Sequence, residues 1–317
     1  MSNKIQSINL DDATTIFFAR ELEYIKARSY DVEYPALKAT QLIPVSSEAD
    51  PGAEVITYQQ YDKVGMAKII SNYADDLPAS DVKGKEFTAR VRPIGSSFSY
   101  NIQEIRNAQM AGKPLEQRKA NAARRSVEQK INKIAWFGEE EYGLQGFVDN
   151  PNVTRVKVAD NDDSTSTKFE DKTPDEILKD MNDLANNIVD LTNGVEMPNT
   201  LLLPIKQYTH IASTARSKNS DTTILEYFLM NNPFIDTVEW VNELKGAGVG
   251  IDGVIAAGED VMIAYDRNPD KLTLEIPQDY EQFAPQERNL AFVVNAHART
   301  AGVIIYYPLS VAIAEGI

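Results

Sequence analysis

Two stretches of the chain repeat apolar residues with the spacing of an amphipathic helix. The first begins at Pro114 and ends before Gly138, and the second begins at Thr173-Pro174 and ends at Asn193-Gly194. Proline is favoured in the first helical turn, and threonine followed three residues later by glutamate forms a capping box. The pattern predicts a helix over 114–137, roughly 36 Å long at ~1.5 Å per residue, and a second helix that lies on a sheet. The two apolar stripes are Ala120, Ala123, Val127, Ile131 and Ile134, and Ile177, Met181, Leu184, Ile188 and Leu191.

The chain before the first long helix has no pattern of a compact domain. Residues 11–28 match a short amphipathic helix, and an irregular stretch with three prolines follows, so we expect residues 1–54 to form an arm without a core. Residues 55–104 are predicted to form a long two-stranded excursion whose middle is polar and turn-rich. Such a hairpin is marginally stable alone and needs another surface to lie on. The predicted strands are 55–61, 66–70, 86–91 and 98–102, and the turn-rich middle is 75–85.

After the first long helix the pattern predicts an α/β unit followed by a strand-rich tail. A strand region over 143–158 and a polar loop over 159–172 precede the second long helix. We expect the tail to pair with strands near the first long helix, which would make the α/β unit an insertion and the fold class α+β. Predicted strands of the unit are 200–203, 235–241 and 261–265, its shorter helices are 205–215 and 222–230, and the tail strands are 272–276, 290–296 and 302–307.

Composition narrows the chemistry. The chain of 317 residues has 43% hydrophobic residues, which is ordinary for a folded protein, but it has no cysteine and only two histidines. Thiolate catalysis, disulfides and the usual zinc ligand sets are therefore excluded. No stretch approaches the ~20 apolar residues that span a bilayer, and the N-terminal residues lack a signal-peptide pattern, so we expect neither secretion by that route nor a membrane. The net charge of −15 argues against a protein whose main function is tight binding of nucleic acid.

One face of the first long helix is positively charged, opposite in sign to the chain as a whole. Seven basic residues stand against Glu116 and Glu128, which gives this segment a net charge of +5 inside an acidic protein. A solvated helix face and a specific acidic partner both explain the pattern, and the sequence leaves the two open. The basic residues are Lys113, Arg118, Lys119, Arg124, Arg125, Lys130 and Lys133.

No local motif predicts catalysis, a cofactor or a metal ion. Gly248–Gly253 matches GxGxxG, but a short apolar run and another strand follow it, whereas a dinucleotide site needs a helix there. The acidic stretch 160–163 departs from a calcium loop at the sixth and twelfth positions, where Thr165 and Asp171 stand. Glu139–Glu141 are consecutive and point in different directions, so they indicate a charged turn. His210 and His297 have no neighbouring partner signature and are predicted to be structural.

The order of these segments resembles that of the major capsid proteins of tailed bacteriophages, whose fold encapsulin nanocompartments share. The resemblance covers nearly the whole chain and depends on the order and length of the segments. Short stretches that recur in the family lie at 142–147, 198–204, 299–303 and 306–308. It implies an N-terminal arm (1–54), an extended loop (55–104), a peripheral domain with a spine helix (105–160), an axial domain (161–268) and a return to the peripheral domain (269–317). It implies no enzyme activity and no cofactor.

The resemblance also implies where subunits contact one another. The extended loop would lie over a neighbouring subunit, and pentamers and hexamers would close an icosahedral head around DNA in the host cytoplasm. Scaffolding, portal or decoration proteins are further candidate partners, and DNA contact would be weak and non-specific. Candidate interaction residues are Arg118, Arg124, Arg125 and Lys130 on the spine helix, Lys63, Lys68, Lys83 and Lys85 in the extended loop, and Gly246, Gly248, Gly250 and Gly253 near the capsomer axis.

Two alternatives stay open at this stage. An encapsulin-type shell would share the fold and differ only in its contents. An enzyme that uses carboxylates on an α/β scaffold would instead be a compact monomer or small oligomer. Electron microscopy of the purified protein separates shells from small particles.

Overall fold

The computed structural model describes residues 34–64, 81–111, 115–162, 166–217, 221–251 and 254–317. The chain divides into two units, Met1–Ala36 and Leu37–Ile317, and the helices and strands described below belong to the second. The predicted helix over 11–28, the predicted strand over 66–70, Lys68 and Gly253 lie outside the described residues.

The second unit mixes helices and strands, as the predicted α+β class requires. The helices are α1 Ala39–Leu42, α2 Ile102–Ala111, α3 Leu115–Phe137, α4 Pro174–Leu191, α5 Ile205–Ser213 and α6 Ile224–Asn231. The strands are β1 Val45–Ser46, β2 Val55–Val64, β3 Asp81–Arg90, β4 Arg92–Asn101, β5 Thr154–Lys157, β6 Thr200–Leu203, β7 Thr237–Trp240, β8 Val261–Tyr265, β9 Leu272–Glu275, β10 Gln278–Gln282, β11 Gln286–Arg288, β12 Ala291–Thr300, β13 Gly302–Ile305 and β14 Val311–Glu315.

A five-stranded mixed sheet carries α4 on one face. Its order is β5-β14-β8-β6-β7, with β14 parallel to β5 and antiparallel to β8. The capping box at Thr173 and Glu176 is present, and the apolar stripe from Ile177 to Ile188 is buried in one core cluster, as predicted. Leu191 is an exception. It is 51% exposed because it is the last helical residue, one turn beyond the last buried position.

A second core cluster lies beneath α3. Ala123, Val127, Ile131 and Ile134 of the predicted stripe are buried, and the helix ends at Phe137 as expected. The indole of Trp136 packs against the Phe147 ring, with ring centroids 6.0 Å apart. Burial of this stripe, at about 1.5–3 kcal/mol for a fully buried large aliphatic side chain, fixes the helix on the strands below it.

The tail returns to the strand that precedes α3. Strand β12 pairs with β4 in antiparallel register from Ala291–Asn101 to Thr300–Arg92, and α3 packs on β4. The prediction that the tail pairs near the long helix is therefore confirmed. Two strands of the tail have other partners, since β13 pairs with β9 and β14 completes the five-stranded sheet.

The predicted hairpin is present as β2 and β3, which pair from Val55–Arg90 to Val64–Asp81. The prediction of a turn-rich middle was wrong for residues 81–85, which already belong to β3. The error has a physical reason, because ladder hydrogen bonds use the backbone and tolerate polar side chains on an exposed hairpin. The predicted strand at 98–102 begins earlier, at Arg92, and ends at Asn101.

Part of the expected arm belongs to the folded body. Ala39, Leu42 and Ile43 are buried in the core cluster beneath α3, and the Ala39 amide donates to Asn132 Oδ1 at 3.0 Å. The five-stranded sheet also crosses the expected segment boundaries at 160 and 268, since it contains β5, β6 to β8, and β14. Sequence segments and sheets therefore do not coincide.

A close crossing of two glycines joins the end of α3 to the following chain. A Cβ built on Gly146 would lie 2.2 Å from the Gly138 nitrogen and 2.5 Å from the Phe137 carbonyl carbon. Two backbone hydrogen bonds of 2.8 Å hold this crossing, from the Phe147 amide to the Ala135 carbonyl and from the Val148 amide to the Trp136 carbonyl. Only glycine fits at position 146 without moving backbone.

Candidate assembly surfaces

The basic face of α3 has partners within its own chain. Arg124 is 59% exposed and donates from Nε to Glu128 Oε1 at 2.9 Å, and this hydrogen bond raises the pKa of the Arg124 guanidinium. Lys130 pairs with Glu139. Exposed ion pairs contribute at most about 1 kcal/mol, so such partners can be exchanged for others at little cost.

The other cations of this face differ in exposure. Arg118 is exposed, whereas Arg125 is half-buried. Lys119 donates to the Ser99 carbonyl and to Glu104 Oε2, both at 2.8 Å, and so fastens α3 to the end of β4 and the start of α2. The Arg124 guanidinium lies 5.9 Å from the Tyr280 ring centroid on β10. The structure thus brings Arg124 and β10 together, which the sequence pattern had not indicated.

The hairpin β2–β3 is fastened to the body near its base. The Tyr58 ring stacks on Phe87 across the strand pair and meets the Tyr306 ring edge-on, with centroids 5.3 and 5.0 Å apart. Partial burial raises the pKa of the Tyr58 hydroxyl. Arg299 of β12 donates to the Ala53 carbonyl at 2.8 Å and also to that of Pro51. These contacts hold the residues closest to the body.

Three of the four candidate lysines of the extended loop, Lys63, Lys83 and Lys85, lie on the described part of the hairpin. Lys63 lies in β2, opposite Val82, and Lys83 lies in β3, opposite Asp62. The Lys85 ammonium lies 4.7 Å from the Phe87 ring centroid and is exposed.

The glycine loop, residues 246–253, is tied at its base by carboxylates. Gly246 donates to Asp260 Oδ1 at 2.7 Å and Gly250 donates to Glu315 Oε2 at 2.9 Å, and both glycines have positive φ. Gly248 is buried and exchanges two backbone hydrogen bonds with residues 258 and 259. The base of this loop is therefore held by the Asp260 and Glu315 carboxylates rather than by solvent.

Glu315 was not anticipated from the sequence. Its side chain is fully buried, and Oε1 accepts from Arg155 at 2.6 Å while Oε2 accepts from Gly250. The same guanidinium donates to the Val148 carbonyl. Burying a carboxylate is costly unless it is paired, and here the Arg155 guanidinium and the Gly250 N–H are its partners. Because Arg155 and Glu315 are 160 positions apart, no local pattern could have found the pair.

The remaining sequence motifs have structural explanations. The chain after the GxGxxG match leads through a bridge between Ile251 and Ile255 to β8, with no helix. Glu140–Tyr142 form a 3-10 turn after α3, and His210 and His297 lie in α5 and β12. Asp160 pairs with Lys157 at 2.8 Å. Over the described ranges, no three acidic or histidine side chains cluster to hold a metal, and no described helix is long and apolar enough to cross a bilayer.

Several solved structures share this fold. The capsid of Myoviridae phage XM1 matches with a TM-score of 0.81 at 17% identity, over 96% of this chain and 100% of that chain. The capsid of an empty GTA particle matches at 0.62, with 11% identity over 96% and 99%. A virus-like particle from Pyrococcus furiosus matches at 0.55, with 13% identity over 87% and 91%.

Sequence comparison identifies the family. No curated protein matches the chain. The family model described as major capsid protein matches residues 65–317, which is most of the chain and includes α3, the five-stranded sheet and the tail strands. The chain therefore belongs to the major capsid protein family and is a structural subunit of a virion capsid rather than an enzyme.

Proposed function

We propose that this capsid subunit assembles with identical copies into pentamers and hexamers, which close an icosahedral head around phage DNA. In this proposal residues 1–54 act as an arm, 55–104 as an extended loop, 105–160 and 269–317 as a peripheral domain, and 161–268 as an axial domain. Ala39, Leu42 and Ile43 would then anchor the arm in the body, since these three side chains are buried.

The observation that carries this proposal is the hairpin β2–β3. Its strands pair over ten residues each, yet side chains along it are exposed, including Val55 at 49% and Tyr61 at 62%. An isolated two-stranded hairpin is marginally stable in water. A hairpin with such exposed side chains gains burial by lying on a second copy, which is how subunits of a shell stabilise one another.

The axial role proposed for 161–268 places the glycine loop at the capsomer centre. One sequence must then fit rings of five and of six subunits. Gly246 and Gly250 allow the positive φ that this loop adopts, while Asp260 and Glu315 hold its base. Flexibility would therefore be confined to the tip, and equal order of that tip in both ring types of a shell reconstruction would contradict this role.

The basic face of α3 suits an acidic protein partner better than DNA. The whole chain has a net charge of −15, which disfavours close approach of phosphates. Arg118, Arg124 and Arg125 would pair with carboxylates of a neighbouring subunit or of a scaffolding protein, and Lys130 would support them. The exposed Arg124–Glu128 pair can exchange its partner at little cost.

Electron microscopy of the purified full chain tests the main proposal. We expect shells or ring-shaped capsomers, and the particles should show separate rings of five and six. A homogeneous monomer under conditions in which a related capsid protein assembles would overturn it. The content of the particles separates a phage head from an encapsulin-type shell, because a head packages DNA and an encapsulin encloses protein cargo.

Charge reversal tests the basic face separately. Arg124→Glu with Arg125→Glu should lower the yield of particles at least tenfold while the far-UV circular dichroism of the subunit stays unchanged. The matched control is Lys179→Glu with Arg288→Glu, which changes the net charge equally at two exposed basic residues that have no assigned contact. Normal particles from the arginine variant would refute the assigned role.

The proposal also includes scaffolding, portal and decoration proteins as partners, and assembly in the host cytoplasm.

A further inference from the structure

A groove of about 870 Å³ lies between the hairpin strand β2 and the body of the subunit. The body contributes β1 with the chain that follows it, the start of β9 with the turn before it, and the chain after β13. Small-molecule sites usually have volumes of about 300–1,000 Å³. The groove is called the tyrosine groove here, and its lining is Val45, Ser46, Ser47, Glu48, Tyr58, Gln59, Gln60, Tyr61, Pro269, Asp270, Thr273, Tyr306 and Tyr307.

The lining of the tyrosine groove is negatively charged. Glu48 and Asp270 are exposed carboxylates, and the lining contains no lysine or arginine. The ammonium of the neighbouring Lys271 pairs instead with Glu196 Oε1 at 2.7 Å. Carboxylates that line a cleft concentrate cations there, because the low-dielectric walls focus their field. The charge of the groove therefore favours a cationic ligand.

A buried carboxylate beneath the lining adds to this charge. Glu275 is 4% exposed, and the hydroxyls of Ser46, Thr273 and Tyr306 donate to it at 3.0, 2.8 and 3.4 Å. All three hydroxyls belong to groove-lining residues, and among the described residues no lysine or arginine pairs with Glu275. Burial raises the pKa of the Tyr306 hydroxyl, so it stays neutral. A hydroxyl that donates its hydrogen to Glu275 keeps lone pairs on its oxygen, which can accept from a cation in the groove.

The tyrosine rings give the groove a second means of attracting cations. The Lys271 ammonium lies 4.4 Å from the Tyr307 ring centroid, so a cation already lies on one ring of the rim. Tyr61 on the hairpin is 62% exposed, and Tyr307 is 42% exposed. The quadrupole of an aromatic face attracts an ammonium within about 6 Å, and the same ring can pack against methylene groups. A ligand with both ammonium groups and aliphatic carbons uses both properties.

The carboxylates are spread along the groove rather than gathered at one point. Asp270 precedes Glu275 by five positions, which is up to about 17 Å of extended chain at ~3.4 Å per residue. A metal ion needs oxygen ligands that converge within about 2–2.6 Å, and in the described part of the chain no three acidic or histidine side chains do so. A linear ligand that carries several ammonium groups matches such a spread.

We propose that the tyrosine groove binds an aliphatic polyamine. Its ammonium groups pair with Glu48 and Asp270 and with the hydroxyl oxygens above Glu275, and its methylene chain lies on the tyrosine rings. Because β2 forms one wall and β1 and β9 belong to the other, the bound polyamine holds the hairpin against the body. Tyr58 and Tyr306 already touch across this gap, with ring centroids 5.0 Å apart. The site goes beyond the proposed assembly into shells and does not depend on it.

Isothermal titration calorimetry of spermidine, a linear trivalent polyamine, into full-length unassembled subunits tests the site. We expect saturation at one molecule per subunit, and Glu48→Gln with Asp270→Asn should weaken binding at least tenfold. The matched control is Asp221→Asn with Glu287→Gln, which removes the same charge at two exposed carboxylates outside the groove and should change the affinity less than twofold. Absence of saturable binding, or equal weakening by the two double variants, would overturn the proposal.

Two measurements on the wild-type chain need no substitution. Hexaamminecobalt(III) has the charge of spermidine but no methylene chain, so it should bind at least tenfold more weakly. Equal affinity for the two cations would show diffuse attraction to an acidic protein and would overturn the proposed site. Saturating spermidine should also slow amide hydrogen exchange at residues 58–61 of β2 at least threefold, while exchange at residues 224–231 of α6 stays the same. Unchanged exchange at 58–61 would overturn the bridging of hairpin and body.

Discussion

Replacing Gly146 by alanine should destabilise the subunit more strongly than replacing any glycine that merely needs positive φ. The added Cβ would lie 2.2 Å from the Gly138 nitrogen, 2.5 Å from the Phe137 carbonyl carbon and 2.7 Å from the Trp136 carbonyl oxygen. All three atoms belong to backbone, so no side chain can turn aside. The two chain segments must separate by more than about 1 Å to reach ordinary van der Waals distances of roughly 3.5 Å.

The magnitude follows from what this separation breaks. The hydrogen bonds from Phe147 to Ala135 and from Val148 to Trp136 cross the same contact and would be lost or stretched. Each contributes about 1 kcal/mol net, and the buried groups left behind cost about 1–3 kcal/mol. Overpacking adds about 1–3 kcal/mol. We expect a loss of roughly 4 to 8 kcal/mol, which is a large fraction of the 5–15 kcal/mol typical of a domain.

Equilibrium urea unfolding, followed by circular dichroism, measures this loss. The subunits must stay unassembled, as light scattering checks, because assembly would stabilise them by mass action. Gly143→Ala is the matched control. Gly143 has φ +69°, but its added Cβ would meet nothing closer than Arg90 Cδ at 3.8 Å, so we expect a loss of about 1–2 kcal/mol from backbone strain alone. Equal losses for the two variants would refute the steric argument.

Three further perturbations address charged groups. Lys172→Met should lower the free energy of unfolding by about 3–5 kcal/mol because it leaves the buried Asp180 carboxylate without its cation. The double variant Lys172→Met with Asp180→Leu should recover most of this loss, and equal unfolding temperatures for the two variants would contradict the argument. The Thr173 hydroxyl and backbone N–H groups lower the pKa of Glu176 to about 2, so it stabilises the fold above pH 4.5 and loses that effect as the pH falls towards 2. Glu176→Gln should make the free energy of unfolding depend less on pH between about 4.5 and 2. An unchanged pH dependence of unfolding would show that Glu176 does not contribute to acid stability. Glu315→Gln should speed amide exchange at Gly250 roughly tenfold, equivalent to about 1.4 kcal/mol, and mass spectrometry that finds unchanged exchange would exclude Glu315 as the anchor.

The elements with local signals were the ones that the sequence predicted well. The capping box located the start of α4, and the run Val261–Tyr265 matches β8 at both ends. The basic face of α3 was also visible as a charge pattern. Such features depend on residues within one or two turns or on a short apolar run, which is the range over which periodicity carries information.

Features set by distant residues were missed. Strand β14 was not predicted, because the stretch 307–317 lacks the alternation of a half-buried strand and all five of its residues are buried. Ala39–Ile43 was assigned to an arm because its burial depends on α3, more than ninety positions later. The groove of about 870 Å³ between β1 and β2 arises where these two strands approach each other, and the sequence of neither strand indicates this alone.

Strand β14 sits inside the five-stranded sheet, between β5 and β8. A ribosome must therefore synthesise about 160 residues beyond β5 before that sheet can close, as the Arg155–Glu315 separation shows. Until then β5 lacks β14, the strand that pairs with it among the described residues, and the nascent polypeptide exposes strand edges that only long-range pairing can satisfy. Folding of the subunit is therefore completed only at the end of translation. Truncated products lack β14, and we expect proteolysis to remove them before they can be incorporated into a particle.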